Sequence, residues 1–101
     1  MAIAVISDFP GGTAEQDEAR QRRMNVGEGQ LTAANTPRGG LARLAGPIEG
    51  GWRVISVFES QEDWEAFRRE RLAPMFQQMG ISAPPVQIWP LHSFMIVPQQ
   101  H

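Results

Sequence analysis

The stretch Ala45–Phe67, AGPIEGGWRVISVFESQEDWEAF, constrains the fold more than any other part of the chain. A short apolar segment, Leu41–Pro47, runs into a turn over Gly46–Gly51. The chain then returns as Trp52–Glu59, where large apolar residues alternate with smaller or polar ones, the period of a strand with one buried face. Ser60 follows at once and predicts a helix N-cap, with Asp63 three residues on as its carboxylate partner. Beyond it Trp64, Phe67, Leu72, Met75, Phe76 and Met79 recur at three-to-four spacing, which predicts one buried helical face. Pro74 falls inside this run. It should kink the helix, or split it into 60–73 and a second piece ending at Gly80.

The remainder of the chain is read against that hairpin and helix. Ala2–Phe9 is apolar and β-branched, halts at Pro10-Gly11-Gly12, and predicts a first strand. Thr13 and Gln16 form a capping-box pattern. Glu15, Asp17 and Glu18 then precede Arg20, Arg22 and Arg23, the charge order that suits a helix dipole. This helix should end near Val26–Gly29. Gly29–Gly40 is longer than a usual connector and is either a lid over a cavity or a plain loop. Pro84-Pro85 is a rigid link. Val86–Val97 reads as the last strand with a kink at Pro90, and residues 98–101 as a frayed tail. The order β-α-β-β-α-β predicts an α+β, ferredoxin-like domain spanning 1–101, with a four-stranded antiparallel sheet and both helices on one face. Pairing with a second copy would hide the other face, so a homodimer with a barrel-like core is expected.

Composition narrows the chemistry. The net charge is −2, which gives no electrostatic footprint for nucleic acid. No apolar run approaches the ~20 residues that span a bilayer. The N-terminus lacks a basic signal-peptide region, so the expected setting is the cytoplasm, away from membranes. There is no Cys, no Tyr and no Lys; all nine basic residues are Arg. Thiolate nucleophiles, Schiff bases and phenolic acids are thereby removed. No His pair stands at ligand spacing and no glycine-rich loop follows a strand in the dinucleotide pattern, so neither a metal nor a cofactor is expected.

Several short motifs together carry a resemblance: Gly12-Thr13-Ala14-Glu15-Gln16, Ala45-Gly46-Pro47, Gly50-Gly51-Trp52-Arg53-Val54, Phe58-Glu59-Ser60, Leu72-Ala73-Pro74 and Pro90-Leu91-His92. The chain resembles small stand-alone proteins of the dimeric α+β barrel superfamily. That superfamily includes antibiotic-biosynthesis-type monooxygenases, polyketide (olivetolic acid) cyclase-like proteins and stress-responsive barrel proteins, and the resemblance runs in particular to small actinobacterial members. It covers most of the chain except Val26–Arg38. It implies the barrel dimer and a place in secondary metabolism. Three positions depart from the pattern. Arg43 stands on the second strand where relatives often have His, Ser56 on the third where they often have Asp, and Asp17 in the first helix where they often have Tyr. All three positions should face the space between sheet and helices.

The candidate catalytic residues are His92, Arg43 and Asp17. His92 is placed mid-strand and is either a general acid–base or a structural His bonded to backbone. Arg43 either holds a ligand carboxylate or enolate or forms a surface pair. Asp17 is either an inward base or an exposed first-turn acid. Ser56, Trp52, Phe58, Trp64, Phe67, Trp89 and Phe94 are candidate substrate-binding residues, the aromatics serving as pocket wall or as core. The expected function is a cofactor-independent tailoring enzyme that cyclises or isomerises a small hydrophobic, polyketide- or terpenoid-like metabolite by acid–base chemistry. The alternatives are a cofactor-free monooxygenase of the same fold and a non-catalytic ligand-binding or structural barrel.

Overall fold

The computed structural model describes residues 1–24 and 36–95. The elements run β1 (Ile3–Pro10), α1 (Ala14–Arg23), β2 (Gly40–Ile48), β3 (Gly51–Phe58), α2 (Gln61–Phe67), a π-helical turn (Arg68–Leu72), α3 (Ala73–Met79) and β4 (Val86–Pro90). The four strands form one antiparallel sheet in the order β2-β3-β1-β4. This is the α+β, ferredoxin-like arrangement that the sequence predicts.

Local chemistry accounts for the element boundaries. Thr13 and Gln16 close a reciprocal capping box at the start of α1. Ser60 caps α2 by accepting from the Asp63 amide at 3.1 Å. The β2–β3 hairpin turns at Gly50, whose φ of 76° suits glycine. Pro74 does not split the helix at 73: Leu72 and Ala73 keep helical dihedrals, and regular pitch is lost ahead of them, over Arg68–Leu72. Pro74 has no N–H to donate, and ahead of it the helix widens into the π-helical turn, with the Ala73 N–H donating to the Arg68 carbonyl. Normal pitch resumes in α3, which ends at Gly80 with φ 69°.

Two boundaries differ from the sequence reading, and two segments lie partly or wholly outside the described residues. α1 ends at Arg23, with Met24 as its C-cap, short of the expected 26–29 end, which lies outside the described residues. Of the 29–40 connection only 36–40 is described, and of the tail nothing from 96 onward. β4 stops at Pro90 and does not continue to residue 97. Proline cannot carry a ladder hydrogen bond onward, and the last link is the Leu91 N–H to the Ala2 carbonyl, 2.9 Å.

Register decides which side chains meet the helices. Ile3, Val5, Ser7 and Phe9 of β1 stand opposite Phe58, Ser56, Val54 and Trp52 of β3. Ile3, Val5 and Phe58 pack with Trp64 and Phe67 of α2 as the core, and Met24, Leu72 and Ile88 close its edges. The Phe58 and Trp64 rings meet edge-on at 5.7 Å, a geometry worth more than the area it buries. The alternate residues face away from the helices. There Leu44 and Trp89 are 56% and 61% exposed, on strands at opposite edges of the sheet. Between them Arg53 donates twice to Asp8, at 2.7 and 2.9 Å. That bond holds the Asp8 carboxyl below its ordinary range and raises Arg53.

Trp64→Ala should cost about 3–5 kcal/mol of stability by urea unfolding, the usual toll for emptying a buried aromatic site. A loss under about 1 kcal/mol would mean that α2 is not seated on the sheet as described.

Candidate functional site

A cavity of about 100 Å³ lies between the sheet and the helices. The sheet side is Ser7 and Phe9 of β1, Leu41 to Arg43 of β2, and Val54 and Ser56 to Phe58 of β3. The helices contribute Trp64, Phe67, Leu72, Met75 and Phe76, so most of the wall is apolar. At one end the wall changes character, because α1 presents Arg20, Gln21 and Met24 to the same space.

The inward stripe of α1 explains that polar end. Positions 17, 20, 21 and 24 share one face of a helix. In α1 and its C-cap they are Asp17, Arg20, Gln21 and Met24. Asp17 is 3% exposed and Arg20 is 7% exposed. The Asp17 carboxylate is shared: Oδ1 accepts from Arg20 at 3.3 Å and from Arg43 of β2 at 2.5 Å, while Oδ2 accepts from the Gln21 amide at 2.9 Å. Charge-assisted bonds of this kind are the strong ones. The Arg20 guanidinium also lies 4.0 Å above the Phe9 ring centroid, close enough for cation–π attraction. Burial pushes Arg20 below the usual guanidinium range. Asp17 opposes that drop, and the nearby Arg43 charge adds to it.

Residues 36–40 close another side of the cavity, through Thr36, Pro37 and Gly40. This segment is fastened to the start of α2. Arg38 pairs with Asp63 at 3.3 Å, and the Gly39 carbonyl accepts from the Glu59 N–H at 2.8 Å. Gly39 has φ 78°, and a Cβ there would run into the Asp63 carboxylate, so the close approach requires glycine. Arg71, on the π-helical turn, lines the cavity and donates to the Met24 carbonyl at 3.0 Å, tying the end of α1 to the widened turn.

The structure brings together three residues singled out from sequence. Arg43 and Ser56 are cross-strand partners lining the cavity, and Asp17 sits directly behind Arg43. Asp17 is turned inward, not exposed in the first turn. It stands behind the cavity wall, engaged by three donors, and so fixes the direction of two guanidiniums. Phe58, Trp64 and Phe67 are at once core and cavity wall. His92 is not with them. It lies beyond the end of β4, exposed, because the strand stops at Pro90 and not at residue 97. Trp89 faces the opposite side of the sheet, and Phe94 lies past the strand and 38% exposed. Trp52 is half-buried with its indole N–H unpaired and off the cavity wall. Sequence reasoning missed Arg20, taking it for a last-turn cation. The signal was its three-residue spacing from Asp17 on a helix with almost no apolar stripe.

Among the described residues no three acidic, His or Cys side chains gather as a metal site, and no helix is long and apolar enough to cross a membrane. Comparison with known protein families, curated proteins and solved structures finds no match.

Asp17→Asn should cost about 3–5 kcal/mol, since it leaves two guanidiniums without their shared charge. Arg43→Gln leaves the Asp17–Arg20 pair intact and should cost clearly less. Urea unfolding of both variants checks the order; equal losses would mean that Asp17 does not serve the two arginines jointly.

Proposed function

We propose that the protein binds a small hydrophobic metabolite in the cavity between sheet and helices, as a homodimer of the dimeric α+β barrel type. The observation that carries the binding reading is the cavity itself, walled by apolar side chains and ending in fixed polar groups, the usual form of a small-molecule site. Support for the dimer comes from the other sheet face. Leu44 and Trp89 stand exposed there on opposite edges. The Asp8–Arg53 pair is self-complementary: across a two-fold axis each member can meet its opposite in the second copy.

A catalytic version of this reading has one observation in its favour. Arg43 and Ser56, two of the residues at which the chain departs from the barrel pattern, adjoin on the cavity wall with Asp17 behind them. In a cofactor-independent isomerisation or cyclisation, the Arg43 guanidinium would stabilise negative charge that develops on a substrate carbonyl oxygen, with the Ser56 hydroxyl beside it. His92 has no part in this version, because it lies away from the cavity wall.

Light scattering on the purified protein should give twice the chain mass, and Leu44→Glu or Trp89→Glu should give the monomer. A wild-type monomer at micromolar concentration would remove the dimer. For the binding reading, single-ring aromatic compounds should raise the melting temperature in a dose-dependent way, and Ser56→Trp, which fills the cavity, should abolish the effect. A shift that Ser56→Trp leaves unchanged would place binding elsewhere.

A further inference from the structure

We propose that the ligand of this cavity is a monoanion with a single ring-sized apolar body, such as an aryl or arylacetic carboxylate, and that Arg43 receives its acidic group. The inference rests on the binding reading above and specifies its ligand class.

Charge comes first. Two guanidiniums, Arg20 and Arg43, share one carboxylate, Asp17, at the polar end of the cavity. Among the described residues these three groups therefore carry one net positive charge, and Arg71, which donates to the Met24 carbonyl, lines the same cavity. A surplus charge that is partly withdrawn from water is costly, and an incoming anion would offset it. A neutral ligand would not. Burial is the main cause that pushes Arg20 below the guanidinium range, and the Arg43 charge adds to it.

Accessibility then separates the two arginines. The Arg20 side chain is 9% exposed and stacked on Phe9, with its charge facing Asp17. The Arg43 side chain is 26% exposed, and its contact with Asp17 runs through one terminal nitrogen, Nη2. The guanidinium fork has five N–H donors, so Arg43 keeps donors for a second carboxylate while holding the first. The neighbouring Ser56 hydroxyl is the next donor along the wall.

Size sets the apolar part. A cavity on the order of 150 Å³ holds one benzene ring. The volume here is about 100 Å³ and the cavity is partly open, so one ring is accommodated with side-chain adjustment and with its acidic group toward the polar end. Phe58, Trp64 and Phe67 are among the aromatic residues that line it.

The test pairs acids with their neutral isosteres. Binding of benzoate and phenylacetate, and of benzamide and phenylacetamide, is measured by titration calorimetry on wild type, Arg43→Gln and Arg43→Lys, with the melting temperature of each variant confirming that it is folded. The acids should bind wild type at least about 10-fold more tightly than the amides, the scale of a hydrogen bond to a charged group. Arg43→Gln should erase the preference while leaving amide binding in place, and Arg43→Lys should restore part of it. Equal binding of acids and amides to wild type would overturn the anion assignment and leave the binding reading standing. An acid preference that survives Arg43→Gln would overturn the role of Arg43. If neither acids nor amides bind wild type up to millimolar concentration, the binding reading falls and takes this inference with it.

Discussion

One buried carboxylate organises this molecule. Asp17 joins α1 to β2 through Arg43 and stiffens α1 through Arg20 and Gln21. α1 has little else to hold it, because its inward stripe offers a single large apolar side chain, Met24. Helix-to-sheet packing usually rests on apolar burial; here a shared ionic contact carries much of that load. A contact of this kind demands geometry, since an isolated buried charge is costly unless its hydrogen bonds are met. The position of α1, the direction of Arg43 and the polarity of one cavity end are therefore set together.

That arrangement divides the domain into two chemical halves. Around α2 the core is aromatic and aliphatic, with Ile3, Val5, Phe58, Trp64 and Phe67 in mutual contact. Around α1 it is ionic. The cavity lies where the halves meet, so its walls change from apolar to cationic along its length. Such an interior suits a ligand with the same division, an apolar body and a charged end.

Much of this was legible in the sequence, and the losses have physical causes. The hairpin, both capped helix starts and the loss of regular pitch ahead of Pro74 follow from local chemistry: turn glycines, Thr13 and Ser60 as caps, and a proline that cannot donate. The strand order follows from the sequence of elements. The end of β4 was not legible, because apolar residues after Pro90 continue the strand pattern and nothing local marks where pairing stops. His92 went with that error. Asp17 and Arg43 could be singled out as candidate residues, but their contact, 26 positions apart, needs the tertiary fold. Arg20 stayed hidden because an arginine late in a helix has a ready explanation in the dipole.

The π-helical turn at Arg68–Leu72 has a consequence for angular phase. On a regular helix each residue advances about 100°, so Trp64, Phe67, Met75 and Phe76 would be spread over about half the circumference. Phe76 would then point away from the sheet. The widened turn absorbs roughly one residue of advance and gathers the four onto an arc of about 100°. All four are buried, and the Phe76 ring reaches to 6.4 Å from Phe9. A helix one residue shorter would seat the same four side chains without a bulge. The additional residue is therefore neutral to the core, and its effect is local: it sets Arg71 and Leu72 on the cavity wall within a turn of unusual width.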